Sequence, residues 1–152
     1  MDSRNGRKGL RKNMDEVYEI IRTMSKEDKE LMGLSEGHPE TDKIVKQFIK
    51  KVDGVPVAFF QIRYICSRYS ILIGTRSGIE YRNRGYASEV ATEGKRWLDT
   101  HFDEFDYVFY VVRKDNTASI NIARNVMQLK LDESPSLLDD RWIKFVYIGG
   151  QS

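Results

Sequence analysis

The chain has 152 residues, of which 40% are apolar and 32% charged, with a formal net charge of +2. That length is enough for a sizeable core, the composition excludes a disordered chain, and the near balance of charge excludes a strong field drawing it onto nucleic acid or anionic lipid. One cysteine, Cys66, rules out an internal disulfide, and with no apolar run near the roughly 18 residues of a membrane helix and no apolar signal core at the N-terminus, a cytoplasmic protein in a reducing compartment is expected.

Residues 1–13 are basic and polar and read as a flexible tail; residues 14–152 read as one domain. Val17–Arg22 is rich in β-formers and predicts a strand. Ser25, with Asp28 three residues on, opens a short helix to about Leu31 that stops at Gly33. His38 falls in a loop before Pro39, and Thr41–Lys46 predicts a second short helix. Asp53-Gly54 lies between two strand-like runs, a hairpin signal, so Gln47–Val52 and Pro56–Ile65 pair antiparallel. Cys66 reads as a packing or turn residue. Tyr69–Ile79 predicts a third antiparallel strand, in which Gly74 and Gly78 mark a bulge or a close backbone approach.

Tyr86–Phe102 predicts the longest helix, with Ala87, Val90, Ala91, Gly94, Trp97, Leu98 and Phe102 at spacings of three and four. Glycine costs roughly 1 kcal/mol in a helix, so Gly94 implies a close crossing over a sheet. His101 closes that helix, where a cation suits the dipole. Tyr107–Val112 is apolar without alternation and predicts a strand buried on both faces, completing a βαβ crossover. Asn116 caps a following helix whose apolar face is Ile122, Ala123, Val126 and Met127. A weak strand near Lys130–Glu133 and a strong end strand, Trp142–Ile148, finish the chain. The order is β-α-α-β-β-β-α-β-α-β-β, an α/β (α+β) fold with a mixed, mostly antiparallel sheet and helices on both faces. Neither histidine has Cys or carboxylate neighbours at metal-ligand spacing, so no metal site is expected.

The start of the helix at Tyr86 concentrates chemistry. Its first backbone N–H groups are unpaired and carry the positive end of the dipole. Arg82 and Arg84 add full charges, Gly85 removes a Cβ, and the run "RNRGYA" can present successive N–H groups to an anion. At a strand-to-helix junction this predicts a pyrophosphate site.

That same run, "RNRGYA", matches the (Gln/Arg)-x-x-Gly-x-(Gly/Ala) motif of the GNAT superfamily of acyl-CoA-dependent N-acetyltransferases. Its context, "IGTRSGIEYRNRGYASE", resembles the ribosomal-protein N-acetyltransferase subgroup. "VVRKDNTASINIA" resembles the family's next motif, and "IIRTMSKEDKELM" its first strand and helix. The resemblance spans about residues 15–148. It implies a GNAT-like fold and transfer of an acetyl group from acetyl-CoA to a primary amine by direct attack on the thioester. It further implies that backbone amides of Arg82, Asn83, Arg84, Gly85, Tyr86 and Ala87 hold the pyrophosphate. Gly78, Ile79 and Glu80, at the splayed end of the preceding strand, would pair with pantetheine, and one of their N–H groups would polarise the thioester carbonyl. Asn116 and Ser119 would sit near the thiol and the pantetheine arm.

The chain departs from the family at the proton-transfer positions. The tyrosine that serves as acid in many members is replaced by Ala123, the glutamate that serves as base in some by Val111, and the Gly-Phe pair by Met127-Gln128. No catalytic residue is therefore assigned; Tyr110 and Asn116 are the stand-ins, with water and proximity as the remaining means. The rival reading is a non-catalytic acyl-CoA-binding sensor or interaction module. Glu36, Glu40 and Asp42 in "GLSEGHPETDK" could attract a cationic amine. The acceptor is not legible, no nucleic-acid or membrane partner is expected, and the chain is a monomer or a homodimer paired through an end strand such as Trp142–Ile148.

Overall fold

The structure, a computed structural model, describes residues 15–26, 29, 44–65, 67–105, 107–133 and 140–149. Strands β1 (Ile44–Val52) and β2 (Val55–Ile65) form a hairpin. Its turn residues Asp53 and Gly54 have φ of 50° and 79°, the doubly positive pattern that matches the twist of the flanking strands. Strand β3 (Arg68–Thr75) pairs antiparallel with β2 in unbroken register from Arg68/Ile65 to Thr75/Ala58. Helix α2 (Tyr86–Thr100) then carries the chain over the sheet to β4 (Tyr107–Arg113), which lies parallel to β3. Strand β6 (Trp142–Ile148) pairs antiparallel with β4, and the short β5 (Lys130–Leu131) borders β6. Among the described residues the result is a six-stranded mixed sheet in the order β1-β2-β3-β4-β6-β5. The expected fold class holds, with a βαβ crossover at its centre.

Residues 15–23 form a helix, α1, where a strand was expected over Val17–Arg22. Val17, Ile20, Ile21 and Met24 are buried together against Phe59. Their spacing of three and four is helical, and it outweighs the β-propensity of "VYEIIR". Phe59 and its neighbour Phe60 point to opposite faces of β2, as successive strand residues must. Phe59 meets α1, whereas Phe60 joins the larger core with Val90, Ala91 and Leu98 of α2 and with Tyr110, Phe145 and Met127. Both faces of the sheet are therefore covered at β2. The expected close crossing at Gly94 is present: a Cβ there would stand 2.4 Å from Phe60 Cζ. Gly74 is likewise a close approach rather than a bulge, with the Phe59 ring 2.4 Å from where its Cβ would be.

Several boundaries differ from expectation. Ile44–Lys46 belong to β1 and not to a helix. Most of the short helix after Ser25 lies outside the described residues, although the Lys29 N–H donates to Ser25 O at 3.0 Å, one helical turn. Helix α2 stops at Thr100, and His101 caps it, stacked on Trp97 at 4.1 Å between ring centroids. Phe102 is exposed beyond the helix end. Strand β4 is not buried on both faces. Val108, Tyr110 and Val112 face the core, while Tyr107 and Val111 are exposed. Helix α1 packs with Ile49, Phe59 and Leu72; Phe109 of β4 is flanked by Lys144 Nζ at 4.9 Å and Arg68 at 5.4 Å. Strand β6 lies between β4 and the two-residue β5, which pairs with it at Phe145 and Val146, so Trp142–Ile148 is not the end strand of the described sheet. The basic tail, His38, Cys66 and the acidic residues Glu36, Glu40 and Asp42 lie outside the described residues. Among the described residues no helix is long and apolar enough to cross a membrane, and no cluster of His, Cys, Asp or Glu could hold a metal ion.

Candidate functional site: a splayed strand pair and the start of helix α2

Strands β3 and β4 pair at Tyr69/Val108 and Ser70/Phe109 and then diverge. The Arg76 N–H donates to Val57 O at 2.8 Å. In an antiparallel ladder this turns the backbone of Ser70, Leu72 and Gly74 toward β2, and that of Ile71, Ile73 and Thr75 toward β4. Past the last β3–β4 pair those N–H and C=O groups face a gap. The gap opens into a cavity of about 610 Å³, within the range of small-molecule sites. Its walls include Ile71–Thr75 of β3, Tyr110–Arg113 of β4, Ala87 of α2, and Asn116, Ala118 and Ser119 at the next helix.

Helix α2 begins at the edge of this cavity. Gly85 is its N-cap residue with φ of 77°, a left-handed conformation that disfavours a side chain, and no side chain caps the helix. The first-turn N–H groups of Tyr86, Ala87 and Ser88 are thus left for an outside acceptor. A Cβ at Gly85 would meet nothing within 4 Å, so the space before the helix is open. Asn83 is also left-handed, with φ of 55°. Alternating hand along a short loop turns successive N–H groups to one side, the geometry of an anion nest. Arg82 and Arg84 are exposed beside it, and Arg84 Nε donates to Glu80 O at 3.2 Å, which ties its side chain to the preceding turn. Uncapped amides, a dipole and two cations converge on one spot, an arrangement that suits a polyanion.

Asn116 sits where β4 ends, and its Oδ1 accepts the Ser119 N–H at 3.1 Å. This caps helix α3, Thr117–Asn121, which runs directly into a π-helical turn, Ile122–Val126. The Met127 N–H bonds to Ile122 O at 2.9 Å, one residue further back than an α-helix would use. Tyr110 is buried beside Ser119 and hydrogen-bonds with its side chain. Burial pushes the Tyr110 phenol up to about 12, against a smaller opposing effect of Ser119. It is therefore protonated throughout the neutral range.

The cavity also reaches the α1 side of the sheet, through Met24, Leu72 and Arg63. Arg63 is 7% exposed. Its Nε donates to Gln61 Oε1 at 2.9 Å, and Gln61 Nε2 donates in turn to Gln47 Oε1 at 2.9 Å. Arg63 Nη2 is buried with no hydrogen-bond partner among the described residues. Burial lowers the Arg63 pKa to about 10, with Tyr18 acting the other way, so it remains a cation at neutral pH.

The structure thus brings Ala87, Tyr110, Asn116 and Ser119 onto one cavity; Arg82–Tyr86 lead into Ala87 along the chain and do not themselves line it. It does not place Gly78, Ile79 and Glu80 on a splayed strand. Strand β3 ends at Thr75, Gly78 has φ of 139°, and Ile79–Tyr81 form a 3₁₀ turn whose Ile79 is 84% exposed. The backbone facing the gap belongs to Ile71, Ile73 and Thr75 instead. Ser77, between strand and turn, has its N–H bonded to Thr23 Oγ1 at 2.9 Å. Sequence reasoning missed these β3 positions because the apolar run gave no sign of where pairing stopped. It also missed Arg63, whose signal was present: a lone cation inside the strand "VPVAFFQIRYI".

No protein-family model and no curated protein sequence matches the chain. Solved structures do. The GNAT domain of S. lividans PAT superposes with a TM-score of 0.63 at 11% identity, covering 90% of this chain and 85% of that one. This is the GNAT fold. The ribosomal-protein-S18-alanine N-acetyltransferase of Escherichia coli matches with a TM-score of 0.58 at 13% identity, over 90% of this chain and 88% of that one. The PaiA N-acetyltransferase of Thermoplasma acidophilum, solved in complex with coenzyme A, matches with a TM-score of 0.53 at 10% identity, over 70% of this chain and 61% of that one. The chain spans 56% of the length of an acetyltransferase from Agrobacterium tumefaciens that it also matches.

Proposed function

We propose that this chain is an acetyl-CoA-dependent N-acetyltransferase acting on a primary amine. The observation that carries the reading is the continuity of the site: the anion-suited start of α2 adjoins a cavity that enters the sheet between β3 and β4. That geometry fits a long, phosphorylated donor with an extended amide-bearing arm. Its phosphates suit the amides of Asn83–Ala87, since the Arg82 N–H, expected among them, already donates to Ile79 O at 3.4 Å; the Arg82 and Arg84 side chains add charge. Its arm suits the open backbone of Ile71, Ile73 and Thr75, as an added strand would. Asn116 and Ser119 line the cavity beside that arm. The GNAT fold, and a neighbour solved with coenzyme A, support the same ligand.

The donor supplies an activated acyl thioester; the chain supplies position. Holding an amine against the thioester in a narrow cleft removes much of the entropic barrier. Among the described residues no carboxylate or imidazole lines the cavity. The amine is therefore expected to enter neutral or to lose its proton to water. Tyr110 holds its proton more tightly than a free phenol. It serves as a hydrogen-bond donor toward the departing sulfur more readily than as a full acid.

Calorimetric titration of acetyl-CoA into the parent and a Gly85→Glu variant, at about physiological salt, tests the reading. Binding by the parent and its loss in the variant is the expected result, because the new carboxylate would compete for the amides and repel phosphate. No binding by the parent at millimolar acetyl-CoA overturns it. The absence of a carboxylate or imidazole from the described cavity wall favours one alternative, a module that binds acyl-CoA without turnover. Release of CoA thiol with a panel of amines separates the two.

A further inference from the structure

The cavity has two ends on opposite faces of the sheet. Ala87, Ser119 and Ile122 line it on the α2 face, next to the phosphate-suited loop. Arg63 shares its strand face with Phe59 and Gln61, by the alternation of β2, and so belongs to the α1 face. The influence of Tyr18 of α1 on its charge agrees with that placement. A donor entering from the α2 face would leave the α1 end, where Arg63 stands, to the acceptor. A buried cation is costly unless it is paired, and structural arginines in a core are normally paired. Here Gln61 takes one N–H, while Nη2 has no partner among the described residues. Among the described residues, the groups that bear on Arg63 are the neutral amide of Gln61 and the phenol of Tyr18.

We propose that Arg63 anchors a carboxylate on the acceptor, so that the acceptor is an amine bearing a nearby carboxylate, as in an amino acid, rather than a polyamine. This rests on the acetyltransferase reading and narrows it to one substrate class. The pairing supplies the hydrogen bonds that Nη2 lacks and neutralises the buried charge in the same step. Before pairing, the same charge disfavours a second cation close by, which favours the neutral, nucleophilic form of an entering amine.

The test uses acetylated products, so that it does not depend on turnover. N-acetylglycine, N-acetylalanine and N-acetylphenylalanine, and the corresponding neutral amides, are titrated into protein saturated with CoA. The same titrations are run on Arg63→Met and Arg63→Lys. The expected result is that at least one acid binds the parent tenfold or more tighter than its amide. Arg63→Met abolishes the difference and Arg63→Lys keeps part of it. Arg63→Met is expected to fold, since it removes a buried cation of similar length, and the acid-to-amide comparison on the parent stands without it. Equal binding of acids and amides by the parent, no binding of any acid, or a preference that survives Arg63→Met overturns the assignment. Acetyl-CoA titration of the parent separates the two levels. Lost CoA binding overturns the acetyltransferase reading itself, whereas retained CoA binding without acid preference overturns only the role of Arg63.

Discussion

Replacing Gly94 by alanine should destabilise the protein, against the usual rule for a glycine inside a helix. Helix propensity alone predicts a gain of about 1 kcal/mol. The structure predicts a larger loss. The new Cβ would lie 2.4, 2.5 and 2.6 Å from three ring carbons of Phe60. Ordinary carbon contacts stand at about 3.5–4.0 Å, so the overlap exceeds roughly 1 Å. Phe60 is fully buried and its ring is backed by Phe48 at 6.3 Å between centroids. The ring must leave its rotamer, at about 0.5–1.5 kcal/mol, or α2 must lift from β2, within the roughly 1–3 kcal/mol typical of overpacking. Set against the propensity gain, the overpacking cost leaves a net loss of up to about 2 kcal/mol, or a fall in Tm of up to roughly 8 °C for a chain this size. Urea and thermal unfolding of Gly94→Ala, Phe60→Leu and the double variant measure it. In the Phe60→Leu background the alanine should cost less, with a coupling of about 0.5 kcal/mol or more. A stabilised single variant, or additive effects, would refute the close-packing argument.

Three further outcomes are expected. Tyr110 has a phenol raised from about 10 unfolded to about 12 folded, so its burial contributes stability fully below pH 10 and loses it as pH rises from 10 to 12. The stability advantage of the parent over Tyr110→Phe should therefore shrink by on the order of 2–3 kcal/mol across that window, read from urea midpoints at stepped pH. Asn116→Ala removes the bond to the Ser119 N–H and should cost about 1 kcal/mol, with Asn116→Asp retaining most of it. Acetyl-CoA affinity should weaken as salt rises and weaken less steeply in Arg82→Ala/Arg84→Ala, because exposed charges are screened; identical salt slopes would argue against phosphate contact by these arginines.

How much was legible depended on which residues signalled locally. The Asp53-Gly54 turn, the amphipathic repeat of α2 and the uncapped Gly85 junction were readable because each is a short-range preference that packing reinforces. The α1 segment was misread because Val17, Ile20 and Ile21 are β-branched residues at helical spacing, and their periodicity was outvoted by their composition. The end of β3 was misread because pairing is a property of two strands. Nothing within "YSILIGTRSGI" states that β4 parts from it after Ser70. The exposed side of β4 escaped for a related reason: an apolar run tells what it can bury against, and only the elements packed over it decide what it does bury. Arg63 had a visible signal, an isolated charge in an apolar strand, whose meaning came only with its burial and its unpaired end.

The divergence of β3 from β4 divides the sheet into two three-stranded plates, β1-β2-β3 and β4-β6-β5. They share a seam of two residue pairs, Tyr69/Val108 and Ser70/Phe109. Beyond the seam the plates are held by side chains of a core that runs through both, from Phe60 and Ile71 to Tyr110 and Phe145. Apolar packing is non-directional, so it tolerates small changes of angle that a hydrogen-bond ladder would resist. The seam is therefore the line along which the sheet is expected to bend most easily. A ligand laid along the open edges would work as a tie between the plates, so the same event that fills the cleft would stiffen the sheet.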